Sequence, residues 1–387
     1  MERLKAAVQN YNWGDTTFIP SLQGRDATGE PEAELWMGTH PKLPSSIMGA
    51  SVTLTEVIKT NAEQALGKHL SKTHEDLPYL LKVLAINSPL SLQAHPTASQ
   101  ARKGYEQENI NQIPLQNPNR IFSTPDEKSE IICALTPFRS LFGFRKPDES
   151  IFLLTQVSHP SLTEFLNQLQ RSGAEDERLK AAVLWLYAQP SKKIEMLIEG
   201  ILESSIPVPQ LEYFVQLAAS YPEDPATMIS LLLNNVSLQP GDALYVAPGT
   251  PHVYLDGYAV EITSNSDNVI RAGLTTKPVN SDIFTSIVDF TPKDPKVQKA
   301  DSTEKIYDSF GSGFSLSRID LNGEWSTDLE GPEILISTDG PFTITNKKQE
   351  SLNIGQGAPV WVPYSDARYT ISGTALIFRA IVTSPKK

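Results

Sequence analysis

In Ser91-Leu92-Gln93-Ala94-His95 every second residue is polar. On an extended strand, residues two apart share a face. Ser91, Gln93 and His95 would then line one wall, with Leu92 and Ala94 turned away. A polar wall inside an apolar region must be satisfied. Two readings stand level: a hydrogen-bonded core network, or a cavity that holds a metal or a ligand. A second imidazole, His252, follows Pro248-Gly249-Thr250-Pro251, a turn that ends one strand and leads into the next. In a small antiparallel barrel that turn would set His252 at the mouth. The set still wants an anion. Glu130, at the polar start of Ile131-Ile132, is the best candidate, and a solvated strand-end charge is its other reading. An amide, two imidazoles and a carboxylate suit a borderline divalent ion such as Zn2+, with a position left for water or substrate.

These residues need strands to position them. Leu80 to Ile86 is a short apolar run bounded by Asn87-Ser88-Pro89, which reads as a buried strand forming a hairpin-like unit with residues 91–95. Lys82 interrupts it, and a lysine in an apolar strand is costly unless partnered. Glu261 sits likewise in the apolar strand Tyr258 to Thr263, where burial would raise its pKa towards a useful range for a base. Leu54 to Leu70 has helical spacing, with Asn61 and Gly67 as boundary signals.

Residues 148–235 change character to amphipathic helices. Ser161 to Glu164 reads as a capping box, and Asp224-Pro225 as an N-cap with proline in the first turn. No residue of this insertion reads as chemical. Gly357 to Tyr369 lines up with Gly241 to Tyr254, allowing one gap, with Ala367 in the place of His252. Two barrels, one with a site and one without, would explain that weak repeat. The expected architecture is therefore mainly β with an α insertion: two cupin-like antiparallel β-barrels or jelly rolls plus a helical domain. Residues 1–147 with 236–296 would form the catalytic unit, 148–235 the helical insertion, and 297–387 the C-terminal unit without a metal site.

A chain of 387 residues exceeds one ordinary core, and 29 prolines with 22 glycines suit short strands and many turns. A net charge of −12 without a basic run argues against nucleic acid or an anionic membrane as partner. No apolar run reaches the ~20 residues of a membrane helix. Cys133, the single cysteine, reads as a buried inert thiol, and its lack of a disulfide partner points to the cytoplasm.

Several stretches together resemble a known family, the type I phosphomannose isomerases, zinc-dependent enzymes of the cupin class. They are Val8 to Gly14 (VQNYNWG), Glu34 to Pro41 (ELWMGTHP), Leu80 to Pro96, Ala134 to Arg145 (ALTPFRSLFGFR), Pro248 to Tyr254 (PGTPHVY) and Ser266 to Thr275. The resemblance implies one Zn2+ per chain held by Gln93, His95, Glu130 and His252. It implies Arg271 as the active-site arginine, and Trp13, Lys82, Ser91, Lys128, Tyr254, Glu261 and Asp267 around the pocket. A monomer acting on a small sugar phosphate would follow, with Lys82, Lys128 and Ser91 as phosphate partners. Glu261 is the candidate base; Lys82 or Lys128 with a lowered pKa, or a metal-activated water, are rivals. Family members usually read Asn-His-Lys-Pro-Glu before the carboxylate ligand, whereas this chain reads Asp126-Glu127-Lys128-Ser129-Glu130. Thr97 also stands where members often carry Asp. Two other readings stay open: a cupin enzyme of another metal activity, and a sugar-phosphate sensor without turnover.

Overall fold

The computed structural model describes residues 1–117, 119–204 and 211–383. Residue 118, residues 205–210 of the expected insertion and residues 384–387 of the expected C-terminal unit lie outside it.

All eight residues of the strand Tyr79–Ile86 are buried, because its sheet is covered on both faces. Tyr79, Leu81, Val83 and Ala85 face one core, shared with Ile131, Cys133, Val260 and Ile262 and with Phe314, Ile334, Trp361 and Phe378 of the C-terminal unit. Leu84 and Ile86 face the other way, with Ile132, Ala134 and Ala259. By strand parity, Lys82, Glu130 and Glu261 share this second face. Five strands lie side by side in the order Glu34–Gly38, Tyr79–Ile86, His252–Ser264, Glu130–Ala134, Ala243–Val246.

The long strand His252–Ser264 turns the corner of a sandwich. Residues 257–264 pair with Tyr79–Ile86. Its beginning pairs with Leu92–Ala94 and Phe138–Phe144, and the register shifts between Tyr254 and Asp256. A strand that changes partners at a bulge joins two layers around one interior. The expected hairpin is therefore absent: Tyr79–Ile86 and Leu92–Ala94 each pair with a different half of this strand, not with each other.

The C-terminal unit repeats the five-strand order with Glu304–Ile306, Phe314–Asp328, Arg368–Val382, Glu333–Asp339 and Pro359–Val362. The registers agree as well. Val246 opposes Glu130 as Val362 opposes Glu333, and Ile132 opposes Glu261 as Leu335 opposes Arg379. The two sandwiches pack back to back through the shared core. Among the described residues neither pairing closes into a ring, so both are open sandwiches and not closed barrels.

Between Phe138–Phe144 and Leu233–Leu238 the chain forms helices Pro147–Val157, Thr163–Leu169, Glu175–Tyr187, Ser191–Leu202, Glu212–Ser220 and Pro225–Ile229. Their apolar faces cover Leu92, Ala94, Leu141 and Val253 on the outside of the first sandwich. Asp224 caps the last helix through Ala226 N, with Pro225 in its first turn. Ser161 forms no capping box. Its hydroxyl is held by His159 Nδ1 at 2.8 Å, and the helix starts at Thr163 without a side-chain cap. Leu54 to Leu70 divides at Asn61 into Leu54–Thr60 and Ala62–Leu66, because the Asn61 side chain caps the second helix. No helix among the described residues is long and apolar enough to cross a membrane.

Candidate metal centre and active-site cavity

Gln93 and His252 oppose each other across paired strands, and the Gln93 amide lies 3.2 Å from His252 Nε2. The turn before His252 is tight, with Gly249 at φ +81°, and the Gly249 amide donates to the His95 carbonyl at 2.7 Å. The backbone thus fixes three of the expected ligands relative to one another. Glu130, at the start of its strand, completes the group. The ligand atoms of His95, Glu130 and His252 all lie within 4.8 Å of one another and all three residues are buried.

The tautomers decide what this group can do. His95 Nδ1 lies 3.0 Å from the Asn268 carbonyl, and His252 Nδ1 3.0 Å from the Thr250 carbonyl. A carbonyl only accepts, so each Nδ1–H donates and each Nε2 keeps its lone pair when the ring is neutral. Burial lowers the pKa of both rings, His252 to about 4, so they are neutral near pH 7. His95 Nε2 is 3.2 Å from Glu130 Oε1 yet has no hydrogen bond. His252 Nε2 is 3.7 Å from Glu130 Oε2. Two lone pairs and a carboxylate aimed at one another repel unless a cation sits among them, and the Gln93 amide can turn its oxygen to the same place. The residues present fit a Zn2+-type ion.

Glu130 also receives Lys128 Nζ at 2.6 Å and the Tyr254 hydroxyl at 3.3 Å. Burial alone would raise its carboxyl, but the Lys128 ammonium beside it reverses that and holds it well below the usual range. Lys82 Nζ lies 3.1 Å from Glu261 and 3.9 Å from Glu34. Burial disfavours the Lys82 ammonium, but these carboxylates outweigh it and raise its pKa. Burial raises Glu261 to about 7 against the pull of Lys82, with Glu130 and Glu34 adding to the rise. A carboxyl that exchanges its proton near neutrality suits general base work.

These groups open onto a cavity of about 1120 Å3. Trp13, Lys82, Ser91, Gln93, Lys128, Glu130, Tyr254, Glu261, Asp267 and Arg271 all line it. His95 and His252 are fully buried behind Gln93 and Glu130. Asp267 is held by His40 at 3.0 Å and Lys42 at 2.6 Å, which overcome its burial and keep its carboxyl well below the usual range. Glu127 does not line the cavity: its carbonyl accepts from the Ser264 hydroxyl.

Sequence reasoning missed three contributors. Glu34 binds Lys82 and accepts from Trp36 Nε1; both lie in the quoted ELWMGTHP stretch, which carried the signal. Lys277 lies with its ammonium 4.9 Å from the centre of the Tyr11 ring at the cavity wall. Burial, and after it the charge of Arg271, lowers the Lys277 pKa. Tyr221, from the helical insertion, also reaches the wall. Nothing in the sequence around Lys277 or Tyr221 marked them.

A family model described as phosphomannose isomerase type I, catalytic domain, matches residues 1–147. The chain is 33% identical to mannose-6-phosphate isomerase of Escherichia coli strain K12 over 397 residues, covering 98% of this chain and 99% of that one. It is 29% identical to mannose-6-phosphate isomerase of Homo sapiens, covering 97% of each chain. Among solved structures it is similar to mannose 6-phosphate isomerase from Salmonella typhimurium bound to fructose 6-phosphate and zinc. That likeness has a TM-score of 0.89 at 31% identity, over 99% of this chain and 100% of that one. With likeness of this extent in sequence and in fold, the chain belongs to the type I phosphomannose isomerase family.

Proposed function

We propose that this chain interconverts mannose 6-phosphate and fructose 6-phosphate, an aldose–ketose isomerisation through a cis-enediol. The observation that carries the reading is the convergence of two imidazole lone pairs and a carboxylate beside a cavity that also holds a near-neutral carboxyl and the guanidinium of Arg271. Gln93, His95, Glu130 and His252 would hold one Zn2+, which when bound supplies an electrophile for the substrate oxygens.

The chain's own residues do the remaining work. Glu261 takes the proton from C2 of the open-chain aldose and returns it to C1, while the proton of the C2 hydroxyl passes to the C1 oxygen, so the reaction balances without a redox partner. Lys82 keeps the Glu261 carboxylate accessible near neutral pH by standing against it. Arg271 stays protonated and steadies the charge that develops on the substrate oxygens. Lys82 and Lys128 already face carboxylates, which makes them counter-charges and leaves the phosphate to others. Among the described residues Lys277 makes no ion pair and the Ser91 hydroxyl no hydrogen bond, so Lys277 is the cation left for the phosphate, with Ser91 as a further donor. Residues 1–147 with 236–296 form the catalytic unit in this reading, with 148–235 as its helical cover. Residues 297–387 are a repeat without metal. The chain is read as a cytoplasmic monomer, the single cysteine with no intrachain partner supporting that compartment.

The test is a coupled assay with mannose 6-phosphate, before and after chelation and with zinc restored. Activity that vanishes and returns, and that His252→Ala and Gln93→Ala abolish together with bound zinc, is the expected result. Full activity after complete metal removal would sink the metal role, and no turnover by zinc-loaded protein would sink the isomerase reading.

A further inference from the structure

Arg271 stands on the short strand Ile270–Gly273, opposite Gln93, and the register shifts immediately after it. Two residues just beyond it have unusual backbone. Gly273 has φ +148° and Leu274 φ +55°. A leucine at positive φ costs about 1–3 kcal/mol and persists only where its surroundings over-determine it. The surroundings here come from the helical insertion. Asp224 accepts the Leu274 amide on one carboxylate oxygen at 2.7 Å and the Ala226 amide on the other at 2.8 Å. The Tyr187 hydroxyl donates to the Ala272 carbonyl at 2.8 Å. A Cβ on Gly273 would meet Asp224 Oδ1 and Ala226 Cβ at 2.4 Å, so the two segments are in direct apposition.

We propose that Tyr187 and Asp224 are positioning residues that hold the backbone on the C-terminal side of Arg271, so that the helical insertion sets the aim of the catalytic arginine. The role of Arg271 rests on the isomerase reading; the clamp itself does not. Each side chain grips a different backbone group, one on either side of Gly273, which fixes both the position and the rotation of the segment. Asp224 has no oxygen to spare, since one caps its own helix and the other holds Leu274. The last helix of the insertion and the arginine strand are therefore tied through one carboxylate.

The experiment compares Asp224→Asn and Tyr187→Phe in the zinc-loaded full chain. The amide of Asn presents an N–H to one of the two backbone donors, and Phe removes only a hydroxyl. Each should lower kcat/KM roughly ten- to hundredfold, as a displaced catalytic group does, with zinc content unchanged. In an Arg271→Ala background either change should cost less than about twofold more, because its effect runs through the arginine. Hydrogen exchange should quicken at residues 272–275 in both variants. Undiminished kcat/KM in both variants overturns the proposal, and so do losses that multiply fully in the Arg271→Ala background. If Asp224→Asn does not fold, Tyr187→Phe decides alone. A wild-type chain that fails to isomerise overturns the assigned reaction instead, and unchanged exchange at 272–275 would then overturn the clamp.

Discussion

In the first sandwich Tyr254 donates to Glu130, and in the second Tyr369, at the matching step of the repeat, donates to Glu333. Glu34 accepts from Trp36 as Glu304 accepts from Trp325. The likeness stops at one pair. Where the first sandwich opposes Lys82 to Glu261, the second opposes Ser317 to Arg379. Arg379, 4% exposed, forks onto Glu333 at 2.8 and 3.1 Å, reaches Glu304 at 2.7 Å and lies over Trp325. Each of these charges has its partner inside the protein. In the first sandwich His95 Nε2 has no hydrogen bond, and Arg271 and Lys277 make no ion pair among the described residues. Both interiors bury charge on the same strand positions, and what separates site from core is bonding capacity left over.

That comparison is open to breakage from either side. The largest effect belongs to Glu261→Gln, which should lower kcat about 10²- to 10⁴-fold while the chain stays folded. Near-normal kcat would remove Glu261 from the chemistry. The converse change, Arg379→Met, strands two carboxylates and should cost about 3–5 kcal/mol of stability, measured by denaturant unfolding. Folded Arg379→Met should isomerise at the wild-type rate, and a fall in kcat with the fold intact would mean that the second interior has a functional role. Lys277→Ala should raise KM about tenfold with kcat almost unchanged, as loss of uniform binding does; an unchanged KM would move the phosphate elsewhere.

A pH series sharpens the same contrast. Burial lifts Glu261 from 4.5 to about 7, so a base there is protonated in acid and kcat/KM should rise as pH climbs through about 7. Because the folded state holds this proton more tightly than the unfolded chain does, Glu261 adds stability below about pH 4.5. That contribution fades as pH rises through about 7. Glu261→Gln should lack both the limb and the slope. The smallest effect is expected of Ala367→His, which restores an imidazole at the position repeated from His252. His252 is fully buried, whereas Ala367 is exposed at φ +58°. The variant should bind no second zinc, and metal analysis showing two ions per chain would refute the account of the empty repeat.

Part of the site was legible because strand parity is a simple code: Ser91, Gln93 and His95 could be placed on one face from spacing alone, whereas Glu130 read equally well as a solvated strand-end charge. His252 could be placed from its Pro-Gly-Thr-Pro turn. The repeat was visible at Gly357 to Tyr369, but its depth was not. Glu34 and Glu304, or Glu261 and Arg379, correspond through pairing between strands distant in sequence, and identity of residue type is lost at several of them. The partners of the cavity's lysines were hidden for a related reason. Lys82 looked like a cation seeking a ligand, and only the fold shows Glu261 and Glu34 already beside it. Tyr187 and Asp224 were illegible in the same way, since an N-cap aspartate in a helix carries no sign of its second partner.

His252 and Glu261 belong to one strand, paired on both edges over residues 259–263 and again at His252, with Phe138–Phe144 along one edge between. The spacing between the proposed metal ligand and the proposed base is therefore set within the sheet itself and not by the helices. Heating that loosens the helices would leave it untouched, and heating that alters it must first open the central sheet. Thermal inactivation by that route should be abrupt, with catalysis and sheet structure lost at the same temperature.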